Sequence, residues 1–125
     1  MHTILVVDDR DRIRKTYIKV FTKEGYHVLE ARNADEANDI VKSAKVDLML
    51  LDINMPEVDG TVLYEVVRLF KKNLKVIVSS VFPLDDQKYL VQGAVDYFDK
   101  SEGIQILKKK VKRVLPSEVQ KELFH

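Results

Sequence analysis

The sequence predicts an α/β domain in which five strands alternate with five helices around a parallel sheet. Short apolar runs recur along the chain and are typical of strands buried on both faces. Each run is followed by a segment whose apolar residues lie three or four apart, as on one face of a helix. Strands and helices that alternate in this way favour a parallel sheet covered on both faces. We therefore predict a doubly wound (βα)₅ fold.

The predicted strands are short runs in which apolar residues are frequent, at residues 3–7, 27–31, 46–51, 75–80 and 94–98. The predicted helical faces lie at residues 13–21, 37–44, 63–70, 85–92 and 104–114. Gly25 is placed to end the first helix, and Pro116 to end the last. Asn33 is predicted to cap the second helix, with Glu36 reaching back to the cap residue as in a capping box.

Length, composition and charge limit the classes of function. The chain has 125 residues, which suits one domain, and we assign residues 1–116 to it and 117–125 to a short C-terminal tail or the start of a linker. The absence of cysteine excludes disulfides and cysteine–zinc sites. The net charge of +1 gives no reason to expect a nucleic acid or a membrane surface as partner. Lysines 108–110 are expected on the solvated face of the last helix. We expect no signal peptide, no membrane span and a cytoplasmic protein.

Charged and hydroxyl side chains follow the predicted strands, at the edge where ligands bind in doubly wound folds. They are Asp8, Asp9, Asp52, Ser79, Ser80 and Lys100. Two carboxylates ~4 Å apart repel by roughly 4 kcal/mol at an effective dielectric constant of ~20. A lysine and a divalent cation would relieve this repulsion, and all-oxygen ligands favour Mg²⁺ or Mn²⁺ over zinc.

Such an edge can carry out phosphoryl transfer. Mg²⁺ held by one or two carboxylates is typical of sites that handle phosphate. A carboxylate can also act as the nucleophile and form an aspartyl-phosphate. The metal and the lysine would then neutralise charge on the transferring group, while a serine hydroxyl binds a phosphoryl oxygen.

In this order, the residues resemble the receiver domain of two-component response regulators. The resemblance rests on Asp8-Asp9, Asp52-x-x-Met55-Pro56-x-x-Asp59-Gly60, Ser79-Ser80 and Lys100, and it extends from residue 3 to about residue 115. Asp-Asp and Met-Pro pairs are common by themselves, whereas the ordered set at the strand ends is specific. The resemblance implies a flavodoxin-like, CheY-like fold with strand order 2-1-3-4-5.

The resemblance also implies a role for each residue of the acidic edge. Asp52 is the implied phosphoacceptor, and Lys100 would pair with the phosphoryl group. Asp9 and Asp52 would bind Mg²⁺, with Asp8 assisting through water. The backbone carbonyl of Asn54 would complete the metal shell.

The resemblance further implies switch residues and partners. Ser79 would move toward the phosphoryl group and Tyr97 would turn inward in response. The implied donor is a sensor histidine kinase or a histidine phosphotransfer protein, and small donors such as acetyl phosphate are also implied. The receiver would act on a downstream effector protein or domain, and a homodimer formed on phosphorylation is left open. It would catalyse only its own phosphorylation and dephosphorylation, so it is not expected to be an enzyme.

Several positions depart from the commonest family pattern, and one of them is Ser80, which stands where alanine is commoner. Ser101 follows Lys100 where proline is frequent in the family, and we expect this Lys–Ser peptide bond to be trans. Val81 lies two residues after Ser79 and cannot hydrogen-bond an attacking water. By resemblance this position and Asn54 tune dephosphorylation, so slow loss of the phosphoryl group is expected.

Two other functions remain compatible with the sequence. The first is a degenerate receiver that serves as a phosphate-independent protein-binding module, although such a module has no need of the repulsion among its carboxylates. The second is a small Mg²⁺-dependent phosphohydrolase with an aspartyl intermediate. The absence of an inserted cap domain and of a second acid at Asn54 argues against it.

Overall fold

The computed structural model describes residues 1–54, 60–70 and 73–116. In chain order the elements are β1 (Thr3–Val7), α1 (Asp11–Lys23), β2 (His27–Ala31), α2 (Ala34–Ser43), β3 (Leu48–Leu51), α3 (Gly60–Phe70), β4 (Lys75–Ser80), α4 (Leu84–Leu90), β5 (Asp96–Asp99) and α5 (Ile104–Val114). A 3₁₀ turn, Lys100–Glu102, joins β5 to α5. The sheet order is β2-β1-β3-β4-β5 and all neighbouring strands are parallel, which confirms the predicted fold class and topology.

The sheet is covered on both faces because side chains alternate along each buried strand. On one face, Leu5 and Val7 of β1 belong to a cluster that includes residues of α2 and α3. On the other face, Ile4 and Val6 pack in a cluster with residues of α1 and α5, among them Phe21. Val91, directly after α4, also belongs to the first cluster, so we call these the α2/α3/α4 face and the α1/α5 face. Burial on both sides explains why β1 and β3 read as continuous apolar runs.

Several boundaries differ from the predicted ones. The strand β3 begins at Leu48 rather than residue 46, β5 spans Asp96–Asp99 rather than 94–98, and α4 spans Leu84–Leu90 rather than 85–92. Lys100 therefore follows β5 directly, without an intervening residue. Apolar runs mark the buried part of a strand, whereas its ends depend on pairing, and the last register pair of β4 and β5 joins Ser80 to the polar Asp99.

The predicted cap of α2 is correct in its first half only. The side chain of Asn33 accepts a hydrogen bond from the Glu36 N–H at 2.9 Å. Glu36 does not return this bond to Asn33, because its carboxylate accepts the N–H and guanidinium of Arg32 instead. A complete capping box occurs where none was predicted, between Asp99 and Glu102 in the turn that holds Lys100.

The remaining predictions on the chain ends and loops have mixed outcomes. Gly25 follows α1 with φ of 97°, as expected of a helix-ending glycine. No cis peptide bond occurs within the described ranges, in agreement with a trans bond before Ser101. The Met55-Pro56 pair, Asp59 and the tail 117–125 lie outside the described residues. No helix in the described part of the chain is long and apolar enough to cross a membrane.

The lysines of α5 are only partly solvated. Lys109 is exposed as predicted. Lys108 instead forms an ion pair with Glu24 at 2.7 Å, and the Lys110 ammonium donates to the Tyr97 carbonyl at 2.6 Å. Two members of the predicted solvated run therefore attach α5 to its neighbours.

Candidate functional site

The carboxylates Asp8 and Asp52 lie side by side because they follow two paired strands. Val7 and Leu51 are register partners at the ends of β1 and β3. The Asp52 N–H continues this ladder by donating to the Val7 carbonyl at 2.9 Å. Topology alone thus brings together two acids that are separated by more than forty residues of sequence.

Asp9 completes a three-carboxylate cluster. Asp8, Asp9 and Asp52 each present an oxygen within 4.8 Å of the others. The side chains of Asp8 and Asp52 are buried, whereas Asp9 is exposed. The cluster is therefore accessible from the side of Asp9, and its all-oxygen donors suit a hard cation such as Mg²⁺.

Lys100 reaches this cluster from the end of β5, the outermost strand on one side of the sheet. Its ammonium donates to Asp8 Oδ2 at 2.7 Å and to Asp52 Oδ2 at 3.4 Å, and its side chain is 10% exposed. The other oxygens of the two buried acids accept backbone N–H groups, Arg10 N–H for Asp8 and Asn54 N–H for Asp52, both at 2.9 Å. One ammonium among three carboxylates leaves two negative charges, which a divalent cation would balance.

Opposing influences act on the pKa of Asp52. Burial raises the pKa of the Asp52 carboxyl above its ordinary value, and the Asp8 carboxylate adds to the rise. The Lys100 ammonium and the Asn54 N–H oppose it by stabilising the charged form. A buried carboxylate with an unfavourable charge beside it is poised to bind a cation.

The two serines at the end of β4 have different surroundings. Ser79 is 2% exposed and its Oγ lies 3.5 Å from the phenol oxygen of Tyr17. Ser80 is fully buried, and its Oγ accepts the Phe82 N–H at 3.2 Å. No hydrogen bond joins Ser79 to Asp52 or Lys100 within the described ranges. The predicted switch serine is therefore near the carboxylate edge without contacting the acids directly.

Tyr97, the predicted switch aromatic, is half-buried and packs against the α2/α3/α4 cluster. Its hydroxyl donates to the Val91 carbonyl, just beyond α4. Val81, the position expected to slow dephosphorylation, is 46% exposed. The roles of both residues stay predictions.

Two buried polar residues were missed by the sequence analysis. Arg14 lies on α1, and its guanidinium donates to the Asp8 carbonyl at 2.9 Å and to Glu30 at 3.0 Å. Gln87 on α4 donates through Nε2 to the carbonyls of Phe82 at 2.7 Å and Phe98 at 3.0 Å. Their positions on helix faces that point inward were the available signal, since a polar residue there needs a partner.

Comparison with known proteins agrees with this geometry. The chain matches the family model of the response regulator receiver domain over residues 4–112. It is 36% identical over 115 residues to sporulation initiation phosphotransferase F of Bacillus subtilis (strain 168), covering 90% of this chain and 93% of that protein. It is 34% identical over 105 residues to chemotaxis protein CheY of Treponema pallidum (strain Nichols), covering 79% of this chain and 72% of that protein.

Solved structures give the same relationship. The response regulator protein TrrA of Thermotoga maritima, in complex with Mg²⁺-BeF, is similar with a TM-score of 0.85 and 35% identity, covering 92% of this chain and 100% of that chain. TrrA in complex with the histidine kinase ThkA is similar with a TM-score of 0.80 and 35% identity, covering 92% and 99%. Receiver domains of this family are signalling modules rather than classical enzymes. By its fold, its ordered site residues and these matches, the chain belongs to the receiver domain family of two-component response regulators.

Proposed function

We propose that this domain is a phosphorylation switch that accepts a phosphoryl group on Asp52 in a Mg²⁺-dependent reaction and then changes its protein partners. The observation that carries the proposal is the convergence of Asp8, Asp9, Asp52 and Lys100 at one edge of the sheet. Burying charged groups close together lowers the stability of a fold, so we infer that these residues are present for a function.

In this proposal the acids divide the work of metal binding. Asp9 and Asp52 would hold Mg²⁺, or Mn²⁺ in its place, together with the backbone carbonyl of Asn54. Asp8 would assist through water, a division supported by its 2.7 Å ion pair with Lys100, which occupies one of its oxygens. When bound, the cation supplies positive charge at the oxygens of the transferring group.

Asp52 is the nucleophile of the proposed reaction. One carboxylate oxygen bonds to the phosphorus as the bond from the donor to the phosphorus breaks, so the Asp52 side chain must be ionised. Lys100 lies 3.4 Å from Asp52 Oδ2 and favours that ionised form. After transfer the same ammonium pairs with a phosphoryl oxygen, and Ser79 donates its hydroxyl proton to another.

The proposed donor is a sensor histidine kinase or a histidine phosphotransfer protein. The similarity to TrrA, which was crystallised with a histidine kinase, supports this assignment. The proposed output surface is formed by α4, β5 and α5, where Tyr89, Leu90 and Val95 are exposed apolar side chains. Phosphorylation would reposition Ser79 and Tyr97 and alter the affinity of this surface for an effector protein or domain.

Acetyl phosphate labelling tests the proposal. The chain is incubated with acetyl phosphate and Mg²⁺, and intact mass is followed with and without EDTA. We expect one phosphate per chain that hydroxylamine removes, and no labelling of Asp52→Asn or of the EDTA sample. Asp35→Asn, at an exposed acid of α2, is the matched control and should label normally. Labelling of Asp52→Asn at the wild-type level would show that Asp52 is the wrong residue.

Beryllofluoride separates the switch from a phosphate-independent binding module. With Mg²⁺ it mimics a phosphoryl group on a carboxylate, and a switch should show NMR shifts at Ser79 and Tyr97. A binding module that makes no use of phosphate should show none.

A further inference from the structure

A buried phenol lies behind the proposed phosphorylation site, on the α1/α5 face. Tyr17 is 6% exposed, and its ring meets Phe21 edge-on with centroids 6.3 Å apart. Its oxygen lies 3.5 Å from Ser79 Oγ. Neither hydroxyl has another hydrogen-bond partner among the described residues. The two hydroxyls therefore form an isolated pair.

The direction of the hydrogen bond between them follows from counting protons. Each hydroxyl carries one proton and can also accept. If Ser79 donates, the phenol proton remains among the apolar side chains of the α1/α5 cluster without an acceptor. If Tyr17 donates, its buried proton is paired and the Ser79 proton can turn to the polar edge of the sheet. The second arrangement is favoured because an unpaired buried donor is costly.

Ser79 is placed to direct that proton toward Asp52. Leu51 and Val78 are register partners in β3 and β4, so Asp52 and Ser79 follow them side by side. Burial raises the pKa of the Tyr17 phenol, which keeps it protonated as a donor, and the charges of Lys100, Asp8 and Asp52 also act on it. The phenol reaches the acids only through Ser79, because it contacts none of them directly.

We propose that Tyr17 is a positioning residue whose phenol donates to Ser79 Oγ and directs the Ser79 hydroxyl proton to a phosphoryl oxygen on Asp52. The two hydroxyls then act as one donor chain, in which the first hydrogen bond polarises the second. This inference rests on the proposed function, because it requires a phosphoryl group on Asp52. It predicts that the contribution of Tyr17 disappears when Ser79 cannot donate.

The test is a double-mutant cycle on the apparent affinity for beryllofluoride in the presence of Mg²⁺, followed by NMR titration. Tyr17→Phe retains the ring and should weaken the affinity about fivefold, the factor that corresponds to one hydrogen bond of about 1 kcal/mol. Ser79→Ala should weaken it at least as much. The double variant should bind as Ser79→Ala does, because Tyr17 acts only through Ser79.

Tyr26→Phe is the matched control. Tyr26 also lies against the α1/α5 cluster, but its hydroxyl donates to the Leu115 carbonyl at 3.2 Å, away from the carboxylates. Its removal should leave beryllofluoride affinity unchanged. Wild-type affinity in Tyr17→Phe, or additive losses in the double variant, would overturn the role of Tyr17 while leaving the proposed function intact. Failure of the wild-type chain to bind beryllofluoride would overturn both.

Discussion

The two faces of the sheet hold adjacent hydroxyls of β4 in different ways. On the α1/α5 face, Ser79 Oγ meets one side chain, the Tyr17 phenol, at the long distance of 3.5 Å. Ser80 Oγ instead accepts a backbone N–H from the loop that follows β4, at 3.2 Å. A hydroxyl held by one long side-chain contact can adjust its position at small cost, whereas a hydroxyl that closes a backbone turn cannot.

The attachment of α4 shows the same contrast. Gln87 is fully buried and joins α4 to the carbonyls of Phe82, Phe98 and, at 3.5 Å, Ser80. Its own Oε1 has no hydrogen-bond partner in the described structure. The helix α1 instead packs on the sheet through aromatic rings, Tyr17 and Phe21. Gln87 is thus a polar clamp on α4, whereas α1 combines this aromatic packing with the guanidinium of Arg14, which donates to the Asp8 carbonyl after β1.

Lys100 joins the carboxylate edge that both faces share, and its removal should have the largest effect on stability. Lys100→Met leaves Asp8 and Asp52 buried together without a counter-charge, and should lower the free energy of unfolding by about 4 kcal/mol in metal-free buffer. Urea unfolding measures the loss of free energy, and Lys109→Met, at an exposed position of α5, is the control that should show little loss.

Mg²⁺ provides the second arm of that experiment. A divalent cation replaces the lost positive charge and binds only the folded state, so it should stabilise Lys100→Met more than wild type. The difference in free energy of unfolding between the two proteins should therefore narrow as Mg²⁺ is added. If Lys100→Met is as stable as wild type in metal-free buffer, the carboxylates do not repel one another enough to need the Lys100 ammonium.

The polar clamp on α4 is tested by Gln87→Leu, which conserves volume approximately. The carbonyls of Phe82 and Phe98 lose their donor, and we expect the free energy of unfolding to fall by about 2 kcal/mol. Gln105→Leu, at an exposed position of α5, should change it by less than about 0.5 kcal/mol. A more stable Gln87→Leu would mean that the unpartnered Oε1 costs more than the clamp contributes.

The smallest change in stability is expected in a comparison of alanine variants of the two serines. Ser80→Ala removes the acceptor of the Phe82 N–H and should cost about 1 kcal/mol of unfolding free energy, with beryllofluoride affinity unchanged. Ser79→Ala should weaken that affinity. Equal losses of beryllofluoride affinity in the two variants would contradict a division of roles between the faces.

The fold and the acidic edge were predictable because they depend on local patterns and on topology. Apolar periodicity identified each element, and the parallel arrangement then required Asp8, Asp52 and Lys100 to meet at one edge, where they lie. The predicted start of β3 and both predicted bounds of β5 were wrong because pairing rather than hydrophobicity decides where a strand begins and ends. Arg14 and Gln87 were missed because the pattern of a helix face shows that a residue is buried but not which carbonyls it meets.

By itself the sequence determined the alternation of strands and helices, the burial of the central strands and the identity of the charged groups at the sheet edge. Only the tertiary structure decided that Tyr17 meets Ser79, sixty-two residues away, and that Gln87 reaches the Phe98 carbonyl on β5. The physical reason is that periodicity encodes the direction of a side chain relative to its own element. A hydrogen bond between distant segments depends in addition on how two elements pack, which no local pattern contains.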